Sequence, residues 1–533
     1  MPAPIAGPLT AAITGDGCAT IASSNSSNAG RNVSTGPCVL ASVWTPLQAQ
    51  FLPSKSESLD STILKQRRAI EVYLPQESQK DAKAHYETIY VLDGDWNAQV
   101  VVNTVAFMRQ VGRMPPVIVV SVPNFVDAKG VNSRDDNFLP HVDRVGKPKP
   151  GSAADFLAFL KTELIPYVEA HHPANGTHLL HGHSYGGVFA FYALTHEPTL
   201  FDGYLILDPA MWWGEHALDK TLDARLPSLP TKGKAIYVAA RSGSAFKGMG
   251  ADTVEAILHG KAPRDLHWEL AKYPDETHDS LKLKGTYDAL KYAYQGYFGD
   301  EVGIDPRNGI VLRGKPVHVF QDHEFADLRY TVDGSEPNAS SPTFEGTIAD
   351  PEKIRIRVVS HRGVFDRNVS QGLKLGEVLP PTTGASAKPG ETWRYAYFPL
   401  DAWPDIERAK RFKAGEEKRE LDFSRAGRES FAGVVERTLD IREDGYYVLG
   451  VAAPDKVRLW ISDRLIIDED GSHGRNHFAF IAPLRKGSYP IRAEFRHGAK
   501  DANFEVAVFQ SKDDSSILWN NKIYSLSGTS KRK

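Results

Sequence analysis

The sequence predicts an α/β domain followed by two all-β domains. Residues 55–300 alternate between strand-like and helix-like segments, which is typical of a largely parallel sheet covered by helices on both faces. After about residue 300 the strands become short and turn signals such as Asp333-Gly334 become frequent, which indicates all-β structure. The 533 residues are enough for about three domains of ordinary size.

The overall composition excludes several classes of protein. The chain carries 63 Lys and Arg against 66 Asp and Glu, a formal net charge of −3, which excludes a globally basic nucleic-acid coat. We therefore expect no nucleic-acid partner, and because no apolar run is long enough to cross a bilayer, no membrane span. The sequence has no Walker A motif, dinucleotide fingerprint, H-E-x-x-H motif or closely spaced cysteine pair, so we expect no cofactor and no metal.

Residues 1–54 are rich in Ala, Ser, Gly, Thr and Pro and nearly free of charge, which predicts a loosely ordered N-terminal arm. They lack the basic start and sustained apolar core of a signal peptide. The only two cysteines, Cys18 and Cys38, lie in this arm. If they pair, they indicate an oxidising compartment, and two unpaired thiols are the alternative. We expect a secreted or periplasmic protein whose export signal has been removed.

Regular elements can be assigned along the α/β domain, residues 55–300, from apolar periodicity and flanking turn residues. The predicted strands are Ala69–Leu74, Thr88–Leu92, Val117–Val122, His178–His181, Gly203–Leu207, Ala235–Ala239 and Leu266–Lys272. The predicted helices are Ala153–Ala170, Val188–Leu194, Asp252–Leu258 and Leu281–Tyr297. Beyond them we expect β-domains over residues 301–376 and 391–528, joined by a Pro/Thr/Gly-rich linker, residues 377–390, and one short helix near Ile406–Phe412.

The motif Gly182-His183-Ser184-Tyr185-Gly186 lies between an apolar strand and a helical run, and this context predicts a nucleophile at Ser184. A strand-to-helix turn holds the serine in a strained backbone conformation. We expect glycine at 182 and 186 because side chains there would collide with neighbouring backbone. The N-terminus of the following helix favours developing negative charge.

A serine hydroxyl needs a base, and His278 follows the last predicted strand, as the order of a Ser, acid, His triad requires. The acid is less obvious, because the loop after Ala235–Ala239 has no carboxylate before Asp252 and Glu255. Asp208, at the end of the preceding strand, is our first choice for orienting the histidine. Asp252, Glu255 and a Ser–His dyad without a strong acid remain alternatives.

The oxyanion hole needs two backbone N–H groups, and we assign these to Tyr185 and Asp95, with Gly94 letting the backbone turn. Aromatic residues near both segments can stack on aromatic or sugar faces of a substrate. We therefore expect the substrate-binding residues to include Trp96, Trp212 and Trp213, and we place His183 at the pocket lining.

Four segments of the α/β domain resemble the esterase branch of the α/β-hydrolases, which includes enterochelin (siderophore), feruloyl and acetyl-xylan esterases. They are IYVLDGDWN at 89–97, GHSYGG at 182–187, LDPAMWW at 207–213 and ETHDS at 276–280. The resemblance implies Ser184 as nucleophile, His278 as base, the N–H groups of Asp95 and Tyr185 as oxyanion donors, and Trp212 and Trp213 as pocket walls. It also implies a place for Arg134 near the substrate entrance.

The C-terminal part resembles two further families. RYTVDGSEPNASSPTFEG at 329–346 is similar to the small immunoglobulin-like domain of chitobiases, and residues 393–510 resemble the β-sandwich module named after anthrax protective antigen. Members of that module often bind glycans, so the resemblance implies glycan binding, with a structural spacer as the alternative.

The resulting functional prediction is a serine carboxylic-ester hydrolase that acts through an acyl-enzyme on acyl or feruloyl esters of carbohydrates, including polysaccharides. A siderophore trilactone is the alternative substrate, and acyl transfer to an acceptor other than water is a third outcome of the same chemistry. A binding or adhesion protein with an inactive hydrolase domain is the alternative from another class.

Overall fold

The computed structural model describes residues 50–140, 152–323, 325–383, 392–418, 423–453, 456–469, 477–498 and 504–511. Most of the expected N-terminal arm, with Cys18 and Cys38, lies outside these residues, as does the second half of the expected linker. The pairing of the cysteines and the export of the protein therefore stay predictions. Within the described residues, no helix combines the length and the apolar character needed to cross a membrane.

An eight-stranded sheet forms the centre of the α/β domain, with the strand order β1-β2-β4-β3-β5-β6-β7-β8. The first two pairs, β1/β2 and β2/β4, are antiparallel, and all the others are parallel. The strands are β1 (Lys55–Ser61), β2 (Gln66–Tyr73), β3 (Tyr86–Leu92), β4 (Val117–Val122), β5 (Ala174–His183), β6 (Gly203–Leu207), β7 (Ala235–Arg241) and β8 (His267–Tyr273). Every residue of β3, β4 and β6 is buried, as expected of parallel strands covered on both faces.

Helices cover both faces of this sheet and bury one apolar core on each. They are α1 (Gly94–Gln110), α2 (Arg134–Phe138), α3 (Ala153–Phe159), α4 (Ile165–His171), α5 (Tyr185–His196), α6 (Ala217–Arg225), α7 (Ser244–Gly248), α8 (Ala251–Lys261) and α9 (Leu281–Ala293). Helices α1 and α9 pack on one face, whereas α3, α5, α6 and α8 contribute to the core on the other. A π-helical turn, Leu160–Leu164, joins α3 to α4.

The prediction of an α/β domain with a β-rich C-terminal part is confirmed, and four helices were missed: α1, α6 and the two five-residue helices α2 and α7. Helix α1 begins in the Asp93-Gly94 dipeptide, which reads locally as a turn, and α6 has too polar a sequence to show a clear apolar stripe. The helix expected near Ile406–Phe412 is wrong in extent, because only a single 3-10 turn, Ile406–Arg408, forms there.

The small β region, residues 301–376, consists of short strands in small sheets. Its strands are β9 (Ile304–Asp305), β10 (Asn308–Val311), β11 (Val317–His318), β12 (Phe320–Gln321), β13 (Leu328–Thr331), β14 (Thr347–Ile348), β15 (Arg355–Val358), β16 (Arg367–Asn368) and β17 (Gly372–Leu375). The likeness of part of this region to a chitobiase domain stays a prediction.

The C-terminal β region, residues 392–511, is built from two sheets that share one core. Its strands are β18 (Thr392–Phe398), β19 (Lys413–Lys418), β20 (Phe431–Ile441), β21 (Gly445–Ala452), β22 (Val457–Ile461), β23 (Arg464–Glu469), β24 (His477–Leu484), β25 (Gly487–His497) and β26 (Glu505–Gln510). One sheet has the order β19-β18-β20-β25-β22-β23. The other, β17-β10-β24-β21-β26, includes two strands of the small β region, so the two β regions are joined by main-chain hydrogen bonds.

The small β region is also anchored to the α/β domain by a buried ion pair. Arg362 Nη2 donates to Oε1 and Oε2 of Glu87, on β3, at 2.6 and 2.7 Å. The Arg362 side chain is 1% exposed, and its guanidinium lies over the ring of Tyr294, 5.1 Å from the centroid. The ion pair therefore links the small β region to the amino end of β3, away from the carboxyl ends of the parallel strands.

Candidate active site

Four consecutive strands bring polar residues to the carboxyl edge of the sheet. Ser184 follows β5, Asp208 follows β6, Arg241 ends β7, and His278 lies in the loop between β8 and α9. Main-chain bonds hold the first two in register with the neighbouring strands: Ser184 N donates to Leu207 O at 2.9 Å, and Asp208 N donates to Ala239 O at 2.7 Å. This edge is where parallel α/β sheets place their ligands.

The turn at Ser184 has the strained geometry expected of a nucleophile elbow. Ser184 has φ 59° and ψ −115°, a conformation that non-glycine residues rarely adopt. A Cβ on Gly182 would lie 2.2 Å from Gly186 O, so glycine is required there. The same expectation for Gly186 is wrong, since its nearest neighbour would be Leu92 Cβ at 3.5 Å, and the second tight position is Gly187, against Pro209.

His278 is held from two sides beside the elbow. Its Nδ1 donates to Asp208 Oδ2 at 2.6 Å, and its backbone carbonyl accepts a hydrogen bond from His183 Nε2 at 2.8 Å. The ring centroids of His183 and His278 are 4.3 Å apart. Since His183 directly precedes Ser184, these contacts tie the His278 loop to the strand end that carries the serine. With the proton on Nδ1, Nε2 of His278 is the nitrogen that can accept a proton.

Asp208 is a buried carboxylate with two basic partners. It is 1% exposed and adopts φ 41°. Besides the bond from His278, it accepts Arg241 Nε at 2.5 Å on Oδ2 and Arg241 N at 3.3 Å on Oδ1. Burial would raise the pKa of Asp208, but the hydrogen bonds from His278 and Arg241 and the Arg241 charge outweigh it, so this pKa lies below its usual value. The carboxylate therefore stays ionised at neutral pH.

The two histidines that flank the elbow are buried, and both are neutral at neutral pH. Burial, with a smaller contribution from the neighbouring His278, lowers the pKa of His183 to about 3. Burial likewise lowers the pKa of His181 to about 4, and its Nε2 lies 3.0 Å from Thr286 Oγ1. His183, expected at the pocket lining, thus lies beneath the surface and contacts the backbone of His278.

The two expected oxyanion donors lie at helix N-termini. The N–H groups of Tyr185 and Asp95 belong to the first turns of α5 and α1, where backbone donors have no intrahelical acceptor. The residue with a left-handed backbone in this turn is Asp93, two positions before Asp95, with φ 51°. Gly94 is required for another reason: a Cβ there would lie 2.8 Å from Val122 N.

Arg134 is fixed close to both helix N-termini. Its Nε and Nη2 donate to the two carboxylate oxygens of Asp93 at 2.6 and 2.8 Å, and Asn124 Nδ2 donates to the same carboxylate at 2.7 Å. The Arg134 guanidinium lies 5.3 Å from the ring centroid of Trp96 and 5.1 Å from that of Tyr185. The bidentate ion pair and these two aromatic contacts together restrain the orientation of the Arg134 side chain.

Aromatic side chains surround the elbow and remain open to solvent. Trp96 is 53% exposed and Trp212 is 43% exposed, which is unusual for tryptophan. The Tyr185 ring lies 6.1 Å from Trp212 and 5.7 Å from Trp213. These rings form a surface on which a planar or sugar-like group can stack.

The alternative carboxylates lie on another element. Asp252 and Glu255 are on α8, and Glu255 accepts a hydrogen bond from Lys272 Nζ at 2.9 Å. Asp208 is the carboxylate that contacts His278.

Two features of the site were not predicted from the sequence. One is Arg241, which occupies the strand end where a triad carboxylate was sought. The basic residue at the end of β7 was the feature of the sequence that could have indicated this contact. The other is the contact of Asp93 with Arg134 and Asn124, three residues far apart in sequence and without a local pattern. Among the residues that the structure describes, no three His, Cys, Asp or Glu side chains converge as a metal site.

Comparison with known proteins agrees with this architecture. Residues 61–273 match the family model described as "Putative esterase", and residues 418–512 match the PA14 domain model. A siderophore enterobactin esterase of Emericella nidulans is 38% identical over 89 residues, which are 16% of this chain and 29% of that protein. A siderophore triacetylfusarinine C esterase of Aspergillus fumigatus is 40% identical over 65 residues, 12% of this chain and 22% of that protein. The chain thus spans less than a third of the length of these curated relatives.

Among solved structures, an IroE-like serine hydrolase from Shewanella oneidensis is 27% identical to this chain. The match covers 46% of this chain and 81% of that protein, with a TM-score of 0.42. The two family models thus match most of the α/β domain and most of the C-terminal β region.

Proposed function

We propose that this protein is a serine carboxylic-ester hydrolase in which Ser184 is the nucleophile, His278 the general base and Asp208 the orienting acid. The observation that carries the proposal is the 2.6 Å hydrogen bond from His278 Nδ1 to Asp208. The backbone of His278 is in turn bonded to His183, the residue before a serine held at positive φ. A nucleophile, a base and a third group that orients the base together form the triad of serine acyl transfer.

The reaction would proceed in two steps. His278 Nε2 takes the proton of Ser184 Oγ as the oxygen attacks the ester carbonyl carbon. The tetrahedral intermediate collapses to an acyl-enzyme, and the alcohol leaves with the proton that His278 returns. In the second step His278 takes a proton from water, which attacks the acyl carbon, and collapse frees Ser184 and the carboxylic acid. Asp208 stabilises the imidazolium in both steps.

The oxyanion of each intermediate would be stabilised by the N–H groups of Tyr185 and Asp95. Both donors belong to helix N-termini, so the partial positive charge of each helix end adds to the hydrogen bonds. Helix α5 is almost wholly buried, which keeps its first turn in place.

Substrate groups would be recognised by the aromatic surface beside the elbow. Trp96, Trp212 and Trp213 would stack on a planar acyl or alcohol group, and Arg134 would keep Trp96 and Tyr185 in position. His183 would act mainly by holding the backbone of His278.

For the substrate we favour an ester of the siderophore class. Both curated relatives are named as siderophore esterases, and they match this chain at 38% and 40% identity over short segments. A siderophore trilactone with aromatic groups would fit the exposed tryptophan rings of Trp96 and Trp212.

Acyl or feruloyl esters of carbohydrates are the second candidate. The PA14 domain favours them, because members of this module often bind glycans, and glycan binding would hold the enzyme on a polysaccharide. In this reading the C-terminal β region supplies affinity for the sugar, and the α/β domain performs the hydrolysis.

The experiment is covalent labelling of the full chain by a serine-directed fluorophosphonate, followed by hydrolysis of a substrate panel. We expect stoichiometric labelling that is lost in Ser184→Ala. The panel would include a catecholate trilactone, methyl ferulate, acetylated xylan and p-nitrophenyl acetate. Preference for the trilactone supports the siderophore class, whereas preference for xylan or ferulate esters selects the second candidate.

Other serines provide the matched control. Ser242, close to the same sheet edge, can be replaced by alanine, and labelling should persist. A correctly folded protein that takes up no label would overturn the serine mechanism and favour a binding protein with an inactive hydrolase domain.

A further inference from the structure

Arg241 shares one carboxylate oxygen with the proposed catalytic base. Arg241 Nε and His278 Nδ1 both donate to Asp208 Oδ2, at 2.5 and 2.6 Å. The Arg241 backbone N–H also donates to Asp208 Oδ1, at 3.3 Å. The arginine therefore contacts both oxygens of the carboxylate and shares one of them with the histidine.

This arrangement divides a single negative charge between two cations when His278 is protonated. The other charged or titratable groups around His278 are few. His183 is neutral, and Asp279 is paired with Lys282 at 2.8 Å. Arg241 and His278 therefore share the negative charge of the same carboxylate.

We propose that Arg241 is a positioning residue that orients Asp208 and limits how strongly this carboxylate stabilises protonated His278. The proposal rests on the proposed function, since it gives the histidine the role of base. Its consequence is that the base is unprotonated, and therefore competent, at a lower pH than it would be next to an unshared carboxylate.

Substitutions at Arg241 can separate charge from orientation. Arg241→Gln keeps a hydrogen-bond donor near Asp208 but removes the positive charge, so the full carboxylate charge acts on His278. Arg241→Lys keeps the charge on a shorter donor. Both variants leave the backbone N–H bond to Asp208 in place, because that bond does not depend on the side chain.

The test is the pH dependence of the second-order rate of fluorophosphonate labelling, measured on the full chain. This rate depends on the unprotonated base and needs no knowledge of the natural substrate. We expect the acidic limb of the profile to move to higher pH by about one unit in Arg241→Gln and to stay close to the wild type in Arg241→Lys.

Arg329→Gln is the matched control, because Arg329 pairs with Asp327 at 2.6 Å and its side chain is 26% exposed, close to the 24% of Arg241. Its profile should equal that of the wild type. An unmoved limb in a folded Arg241→Gln variant would overturn the role of Arg241 while leaving the serine mechanism intact. A limb that moves equally in Arg241→Lys would also overturn it, because loss of charge would then not be the cause. A wild type without labelling would overturn both proposals.

Discussion

Two arginine–carboxylate pairs, Arg241–Asp208 and Arg362–Glu87, have buried carboxylates on the eight-stranded sheet but different surroundings. At the carboxyl edge, Asp208 is the buried partner, and its Oδ2 accepts from Arg241 and His278 together. At the amino end of β3, Arg362 is the buried partner, and it joins the small β region to Glu87 under the ring of Tyr294. The same two types of charged side chain thus contribute to the proposed active site in one pair and hold two regions of the chain together in the other.

The difference lies in what contacts the pair. His278, a titratable group, also contacts the first pair. A substitution that changes the charge of Asp208 or Arg241 should therefore alter the protonation equilibrium of His278. The second pair packs against aromatic rings, so its removal leaves an uncompensated charge in an apolar environment. Variants of the first pair should therefore change turnover with little effect on stability, and variants of the second should do the reverse.

The largest effect is expected for Asp208→Asn. The amide keeps the size of the side chain but cannot hold the Nδ1–H form of His278 or stabilise the imidazolium. We expect turnover of an activated ester to fall by about four orders of magnitude, with the folded structure retained. Steady-state kinetics and circular dichroism measure the two properties.

Glu255→Gln is the control for this variant, because Glu255 was an alternative acid and contacts Lys272 instead of His278. Its turnover should stay near that of the wild type. Turnover of Asp208→Asn close to the wild-type value would show that Asp208 is not the acid and that a dyad or another carboxylate acts.

The next largest effect is expected for Arg362→Met. This change leaves Glu87 without its charged partner, and we expect the free energy of unfolding to fall by about 3–5 kcal/mol. Denaturant titration measures the loss, and fluorophosphonate labelling below the transition should keep its pH profile.

A double variant, Glu87→Leu with Arg362→Met, completes the cycle. Because it removes both charges, its loss of stability should be smaller than the sum of the two single losses. Additive losses would contradict a direct energetic contribution of the ion pair.

The smallest effect is expected for Trp212→Ala at the exposed aromatic surface. Loss of one stacking contact should cost about 1 kcal/mol of substrate binding, seen as a roughly fivefold higher KM for an aromatic ester, with kcat nearly unchanged. Phe325→Ala, which removes an exposed ring in the small β region, should leave KM unaltered. An equal rise in KM for a short aliphatic ester would argue against stacking.

Local sequence was informative where one segment carries the whole signal. The elbow around Ser184 combines a strand, glycines and a helix in one short stretch, so both its place in the fold and its strained φ followed from pattern. His278 followed from its position after the last strand. Helix α1 was missed because its first turn begins in an Asp-Gly pair that also suits a β-turn, and only packing against α9 and the sheet decides between them.

The sequence by itself determined the α/β and β-rich parts of this protein, the elbow and the placing of Ser184, because these depend on periodicity and on neighbours in the chain. Only the tertiary structure decided that Arg241 and His278 meet at Asp208, and that Arg362 reaches Glu87 across 275 positions. Such contacts depend on strand order and on the relative height of strand ends, which a chain acquires only when its sheet is assembled.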